Sequence, residues 1–298
     1  MRSLGIDLGG TGIKACIREG REHPKDAATF TAETHAKDGP EHVLDRIAAL
    51  ATEAIRTEGE VDHVGLAAPG PLDIERGLSL FMPNLPGWKE TPIVAGMESR
   101  LGRRVALLND ARALTLAELE LGAGRGCTSI VCFALGTGVG GGVVVDGQLL
   151  LGMNGTIGEL GHQTVDPDGL PCSCGSTGCL EQYASGSAIA RKAGASTPDD
   201  VFDAARTGDI RAVEAVEHAG AMLGIGIANA VLVVGPERVI IGGGIASASE
   251  MLLEPARREF ARRNRMMPIE RISIVQAELG SFAGAIGAAL WSQRGATD

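Results

Sequence analysis

The chain has 298 residues, enough to bury a substantial core and to form one large or two medium domains. Its 44% apolar and 21% charged residues are ordinary for a soluble globular protein. A net charge of −10, from 27 basic and 37 acidic residues, comes with no basic cluster and argues against nucleic acid as a partner.

The first seven residues run straight into a strand, so no secretory leader is expected and the expected location is cytoplasmic. Residues 4–17 read as strand, glycine turn, strand, with Gly9-Gly10-Thr11 at the turn. Residues 41–57 place Val43, Leu44, Ile47, Leu50, Ala51 and Ile55 at helical spacing. Residues 61–68 form a strand that Pro69-Gly70-Pro71 stops. Residues 80–88 read as a loop around Asn84. A short helix at 92–101 and a strand at 104–108 follow. That strand delivers Asn109-Asp110 at its C-terminal end, ahead of a helix at 111–121.

Residues 129–145 repeat the opening idea: a strand, the glycine-rich turn Gly136-Thr137-Gly138, and a second strand. Two such units half a chain apart suggest an internally duplicated fold. Backbone N–H groups converge in turns of this kind and can cradle phosphate oxygens. Gly136-x-Gly138-x-x-Gly141 also satisfies the dinucleotide fingerprint, but that motif should open a helix. Here Val143-Val144-Val145 and an Asp146-Gly147 hairpin turn follow, and the dinucleotide reading fails on context.

In residues 159–181, His162, Cys172, Cys174 and Cys179 supply one imidazole and three thiolates, the closed set that structural tetrahedral Zn²⁺ prefers. A disulfide with a spare thiol fits an odd local count poorly. Beyond it, residues 187–193 and 198–207 read as short helices and 210–234 as a long buried helix. Its apolar stretch, 219–234, is short and broken for a bilayer, so no membrane span is expected. Residues 238–242 form a strand emptying into Gly242-Gly243-Gly244. A Ser247-x-x-Glu250 capping box opens a helix to about Arg263. A strand at 271–277 and a helix at 283–291 close the chain. Alternating strands and helices read as α/β with mixed sheets. Cys16, Cys127 and Cys132 are expected as core fillers. Arg100, Arg103-Arg104 and Arg262-Arg263 are expected as solvated faces.

On residue type alone several positions stay ambiguous. Asp110 reads equally well as a general base and as the N-cap of its helix. Asn84 reads as a turn former, and Glu159 and Glu181 as solvated charges.

Glu159-x-Gly161-His162, followed by Cys172-x-Cys174-Gly175-x-x-Gly178-Cys179-x-Glu181, resembles the signature of the ROK family of sugar kinases and related repressors. The resemblance runs from Leu4 to the last helix with the motifs in family order. It implies the actin-like/hexokinase-like duplicated fold (ribonuclease H-like), α/β, with two domains around a cleft. Residues 1–110 with 283–298 would form a small N-terminal domain, and residues 111–282 a large domain carrying the zinc segment.

The same resemblance implies ATP and Mg²⁺ as cofactors beside structural Zn²⁺. Asp7, Gly9, Gly10, Thr11 and Lys14 would serve the transferring phosphate, with Asp7 near Mg²⁺. Thr137 and Gly138 would hold phosphates, and Gly243 and Gly244 would admit the nucleoside. Asp110 becomes the general base, and Gly70, Asn84, Asn109, Asp110, Glu159, His162 and Glu181 would encircle a hexose. Glucose phosphorylated at its 6-hydroxyl is the expected reaction. N-acetylglucosamine or N-acetylmannosamine kinase and fructokinase are the alternatives within the family. A catalytically inactive sugar-binding or sensing protein is the alternative outside it. Repressor relatives carry a helix-turn-helix domain before the first glycine motif, which here begins at residue 7. A homodimer or homotetramer is implied, with the dimer favoured.

Overall fold

The computed structural model describes residues 1–20, 26–82, 85–245 and 250–294. Asn84 and the Ser247 of the expected capping box lie outside the described residues. In chain order the elements begin with β1 (Arg2–Leu8), β2 (Gly12–Glu19), β3 (Ala28–Glu33), α1 (Pro40–Glu58), β4 (His63–Ala68), β5 (Leu72–Asp73), β6 (Leu78–Phe81) and β7 (Lys89–Thr91). They continue with α2 (Ile93–Leu101), β8 (Val105–Asn109), α3 (Asp110–Leu121), β9 (Ile130–Leu135), β10 (Val139–Val145) and β11 (Gln148–Leu149). The remainder is α4 (Glu181–Ala184), α5 (Gly186–Ala193), α6 (Pro198–Arg206), α7 (Ile210–Val234), β12 (Arg238–Gly242), α8 (Glu250–Arg263), β13 (Ser273–Gln276) and α9 (Ala283–Arg294).

The chain divides into two compact units, one of residues 1–125, 150–157 and 279–298, the other of residues 126–149 and 158–278. The first contains a sheet of order β3-β2-β1-β4-β8, in which β1–β2 and β2–β3 are antiparallel and β1–β4 and β4–β8 parallel. The second contains a sheet of order β11-β10-β9-β12-β13 with the same alternation of directions. The duplication suggested by two glycine turns is therefore a duplication of whole-sheet topology.

In the first unit, Leu4, Ile6 and Leu8 are fully buried, and α1 adds Val43, Leu44 and Ile47 to the same core. Glycine governs the packing of α9. Gly5 and Gly65 are register partners across β1 and β4. A Cβ on Gly5 would stand 1.9 Å from the Ala285 carbonyl oxygen, and one on Gly65 1.9 Å from that of Ala288. A Cβ on Gly287 would stand 1.8 Å from the Ala113 carbonyl oxygen of α3. The helix thus lies at backbone distance from both sheet and α3, which only side-chain-free positions permit.

Among the described residues, 82 and 85–88 are irregular as expected, and only the start of the expected loop, residues 80–81, belongs to the three-stranded sheet β5-β6-β7. β6 enters that segment, and Met82, Leu85 and Trp88 are buried, so its apolar residues are anchors of the core. β3 was not expected; its alternating half-buried pattern is that of a strand at a sheet edge. Arg100 is also more than a solvated face. It donates to Asp45 Oδ1 and Glu41 Oε2, each at 2.7 Å, and ties α2 to α1.

In the second unit α7 is the helix expected at 210–234; by length and composition it could cross a membrane, although its stretch 219–234 was expected to be too short and broken for that. Its buried face includes Ala219, Leu223, Ile227 and Val231. Gly220 and Gly224 receive Pro255 and the Ala256 carbonyl of α8. This is the contact pattern of a core helix. Cys16 and Cys132 are fully buried as expected, whereas Cys127 is only half-buried.

Candidate active site

The first glycine turn closes the β1–β2 hairpin. The Gly9 amide donates to the Gly12 carbonyl at 3.0 Å, and Thr34 Oγ1 donates to the Gly9 carbonyl at 2.7 Å. Gly10 and Thr11 at its tip are exposed. Asp7 and Lys14 are register partners just below the turn, and Lys14 Nζ lies 6.0 Å over the Phe282 ring.

Burial first, and the charge of Asp110 second, push the Asp7 carboxyl from its ordinary 3.8 up to about 7, against the pull of Lys14. A buried carboxylate beside a second carboxylate is a site that a cation would relieve, so Asp7 fits the Mg²⁺ role. The linkage sign follows. The folded chain keeps this proton to about pH 7 while the unfolded chain releases it near 3.8, so stability falls as pH rises between those values. Asp7→Asn is accordingly expected to raise the thermal midpoint of the ligand-free protein at pH 8, with the gain fading toward pH 4. Scanning calorimetry of both proteins from pH 4 to 8 tests this, and parallel curves would rule it out.

Asp110 is the first residue of α3, at the C-terminal end of β8. The capping is done by Asn109: its Oδ1 accepts from the amides of Ala111 at 3.0 Å and Arg112 at 3.3 Å. Asn109 Nδ2 donates to the Gly70 carbonyl at 3.2 Å. Gly70 has φ 77°, a conformation glycine adopts without strain. Asp110 Oδ1 also accepts from the Ala111 amide, at 2.8 Å, so both residues meet the start of α3.

The second glycine turn, Gly136-Thr137-Gly138, closes β9 and β10, with the Gly136 amide donating to the Gly138 carbonyl at 2.9 Å. Thr137 is exposed. The third lies alongside: Gly243 has φ 93°, and a Cβ there would stand 2.2 Å from the Leu135 carbonyl oxygen. Both turns sit at the same end of one sheet, where open α/β sheets place ligands.

The cysteine segment folds back on itself through single bridges pairing Thr164 with Cys179 and Pro171 with Thr177. Gly178, at φ 70°, lies so close to Asp166 that a Cβ would stand 1.6 Å from its carbonyl oxygen. This reversal brings His162, Cys172, Cys174 and Cys179 together, with their ligand atoms all within 4.8 Å of one another. Cys174 Sγ and Cys179 Sγ are 3.6 Å apart, and Cys172 Sγ is 3.7 Å from His162 Nδ1. A tetrahedron with metal–sulfur arms of about 2.3 Å has edges of about 3.8 Å, so the donors fit Zn²⁺. All six cysteines are free, which removes the disulfide reading.

Burial opposes a thiolate at Cys172, yet the Cys174 amide, the Cys174 and Cys179 thiols and His162 bring it down to about 7, whereas burial and the Cys174 and Cys172 thiols push Cys179 up to about 12. Nδ1 is the ring nitrogen of His162 turned to the sulfurs, leaving Nε2 for another partner. Glu159 is exposed just before the short turn that carries His162. Glu181 opens α4, and its Oε2 accepts from the Val139 amide at 3.0 Å, directly after the second glycine turn.

A sequence model of one family, ROK, matches residues 3–294, nearly the whole chain and every motif described above. The chain belongs to the ROK family. The glucokinase of Thermotoga maritima is 38% identical to this ROK chain, with 97% of this chain and 96% of that protein covered. The N-acetylmannosamine kinase of Haemophilus influenzae is 32% identical, covering 98% of this chain and 95% of that protein. Among solved structures, a ROK family glucokinase from Streptomyces griseus in complex with glucose and AMPPNP matches with TM-score 0.87 and 33% identity, covering 99% of this chain and 100% of that one. The fold is the actin-like sugar-kinase fold of these ROK proteins.

Structure adds residues around these motifs that spacing did not single out in the ROK chain. Gln182 Nε2 donates to Cys172 Sγ at 3.6 Å, and Ser187 Oγ donates to the Thr137 carbonyl at 3.0 Å. Buried Glu118 accepts from the amides of Ala123 at 2.8 Å and Leu279 at 2.9 Å. No local sequence signal marks these contacts, since most join residues far apart in the chain.

Proposed function

We propose that this ROK protein is an ATP-dependent hexose kinase that phosphorylates the 6-hydroxyl of its sugar, with glucose as the preferred acceptor. One observation carries the mechanism: Asp110 stands at the C-terminal end of a sheet strand, where open α/β sheets place ligands, directly after Asn109, the N-cap residue of α3. Asp110 accepts the proton of the 6-hydroxyl as that oxygen bonds to the γ-phosphorus and the bond to ADP breaks. The turns at Gly9-Gly10-Thr11 and Gly136-Thr137-Gly138 present backbone amides to phosphate oxygens, and Lys14 adds positive charge near the first. Gly243 and Gly244 leave room for the nucleoside. Asp7 would help to hold Mg²⁺, which would supply positive charge to the phosphates when bound.

On the sugar, Gly70, Asn84, Asn109, Glu159, His162 and Glu181 supply hydrogen bonds. Asn109 does so with the one Nδ2 hydrogen not given to Gly70, His162 with Nε2, and Glu181 with the oxygen not given to Val139. Zn²⁺ held by His162, Cys172, Cys174 and Cys179 is structural, because four protein donors leave no open position.

The glucokinase relatives support glucose, and the N-acetylmannosamine kinase relative keeps an N-acetylated acceptor as the second reading. The deciding assay is ATP-dependent turnover on glucose, mannose, fructose, N-acetylglucosamine and N-acetylmannosamine. The largest kcat/KM is expected on glucose. A preference for an N-acetylated sugar would keep the mechanism and change the substrate, and failure on all five would sink the kinase reading.

A further inference from the structure

We propose that the four-donor metal site holds the second phosphate turn in shape, so that metal loading sets nucleotide affinity. This rests on the reading of Gly136-Thr137-Gly138 as a nucleotide-phosphate site. The turn is gripped by the segment that immediately follows Cys179. The Val139 amide donates to Glu181 Oε2 at 3.0 Å. The Gly186 amide donates to the Gly136 carbonyl at 2.8 Å, and Ser187 Oγ donates to the Thr137 carbonyl at 3.0 Å. Each residue from Gly136 to Val139 except Gly138 is therefore bonded to residues 181–187. Gly138 is pressed against them instead, since a Cβ there would stand 2.4 Å from Glu181 Oε2.

The other side of Val139 meets the neighbour of another metal donor. A Cβ on Gly161, adjacent to His162, would stand 2.0 Å from the Val139 carbonyl oxygen. Val139, the residue directly after the turn, is thus bonded at its amide by Glu181, two residues past Cys179, and packed at its carbonyl against Gly161, one residue before His162. His162 and Cys179 are 17 residues apart in sequence, and the donor cluster is one place where they meet. Gln182, next to Glu181, reaches back to Cys172 Sγ at 3.6 Å, so the start of α4 touches both the metal site and the turn. Burial of Leu180 and its packing against Gly226 of α7 seat this start on the core.

Without the metal, the segments bearing Gly161 and Glu181 stay joined by the Leu180 amide donating to the Gln163 carbonyl at 3.0 Å and by Cys179 Sγ donating to the His162 carbonyl at 3.4 Å, but the donors themselves are no longer drawn to one point. The turn then has more conformations to give up on binding phosphates, which lowers affinity. Glu181 is here a positioning residue for the nucleotide as well as a sugar ligand.

The test is calorimetric titration of the full-length, zinc-loaded protein with AMPPNP and Mg²⁺ in the absence of sugar, with zinc content measured on every sample. Cys172→Ser is expected to lose zinc and bind AMPPNP roughly ten-fold or more weakly. Glu181→Ala is expected to keep zinc yet bind roughly ten-fold more weakly, because a part-buried amide loses its acceptor. Glu181→Gln, whose amide oxygen still accepts from Val139, is expected to recover most of that loss. Unchanged AMPPNP affinity in folded, zinc-free Cys172→Ser would overturn the proposal. So would unchanged affinity in Glu181→Ala, which decides the matter should Cys172→Ser not fold. Native protein that bound no AMPPNP would instead overturn the nucleotide reading beneath it.

Discussion

Asp110→Asn is expected to lower kcat by about 10²- to 10⁴-fold, the range a positioned base contributes, while leaving the fold intact. Asparagine keeps the shape and one hydrogen-bonding oxygen but cannot take a proton near neutral pH. KM for the sugar should therefore change far less than kcat, the pattern of an interaction made in the transition state. The control is Asn109→Ala. It removes the acceptor for two α3 amides and the donor to the Gly70 carbonyl, so it should cost about 1–2 kcal/mol of stability. The two substitutions thus separate chemistry from capping. Steady-state kinetics and thermal midpoints on both proteins give the answer. A variant at Asp110 that turned over normally, with a lowered midpoint, would make it a helix-start residue and leave the reaction without its base.

How much of this could be read in advance depended on how local each feature is. The metal cluster was legible because its donors and the glycines between them lie within a single segment, and Gly178 adopts the positive φ the reversal needs. The glycine turns were legible for the same reason, and their recurrence pointed to the duplicated sheet. β3 was missed because an edge strand is half exposed and its apolar signal is weak. At 80–88 proline and glycine gave away the irregular backbone, but not that Met82, Leu85 and Trp88 are buried, which depends on residues far off in the chain. The capping role of Asn109 could not be separated from that of Asp110 by residue type, since both are favoured at helix starts. The contact between Glu181 and Val139 spans 42 positions, and only the fold brings the two together.

Gly65→Ala is expected to be among the most destabilising single-methyl changes in the first unit, at about 3 kcal/mol. Gly65 sits in β4 directly under α9, and the added Cβ would stand 1.9 Å from the Ala288 carbonyl oxygen and 2.6 Å from its carbonyl carbon. The obstacle is backbone, so no rotamer change relieves it, and the helix must lift off the sheet. Lifting it also breaks the approach of Gly287 to Ala113 and uncovers buried Ala285, Ile286 and Ala289. Gly102→Ala is the matched control. Gly102 caps α2 at φ 65° with nothing within 4 Å of its Cβ, so the same methyl should cost about 1 kcal/mol through backbone strain alone. Urea unfolding of the two variants measures the difference, and near-equal costs would mean that α9 does not rest on the Gly5–Gly65 pair. The consequence reaches the chemistry. A Cβ on Gly284 of α9 would stand 2.4 Å from Asp7 Oδ2, so the helix that these glycines seat also walls in the carboxylate assigned to the metal-bound phosphate. A residual folded fraction of Gly65→Ala should accordingly show an altered Mg²⁺ dependence of turnover, because Asp7 moves with the helix it is packed against.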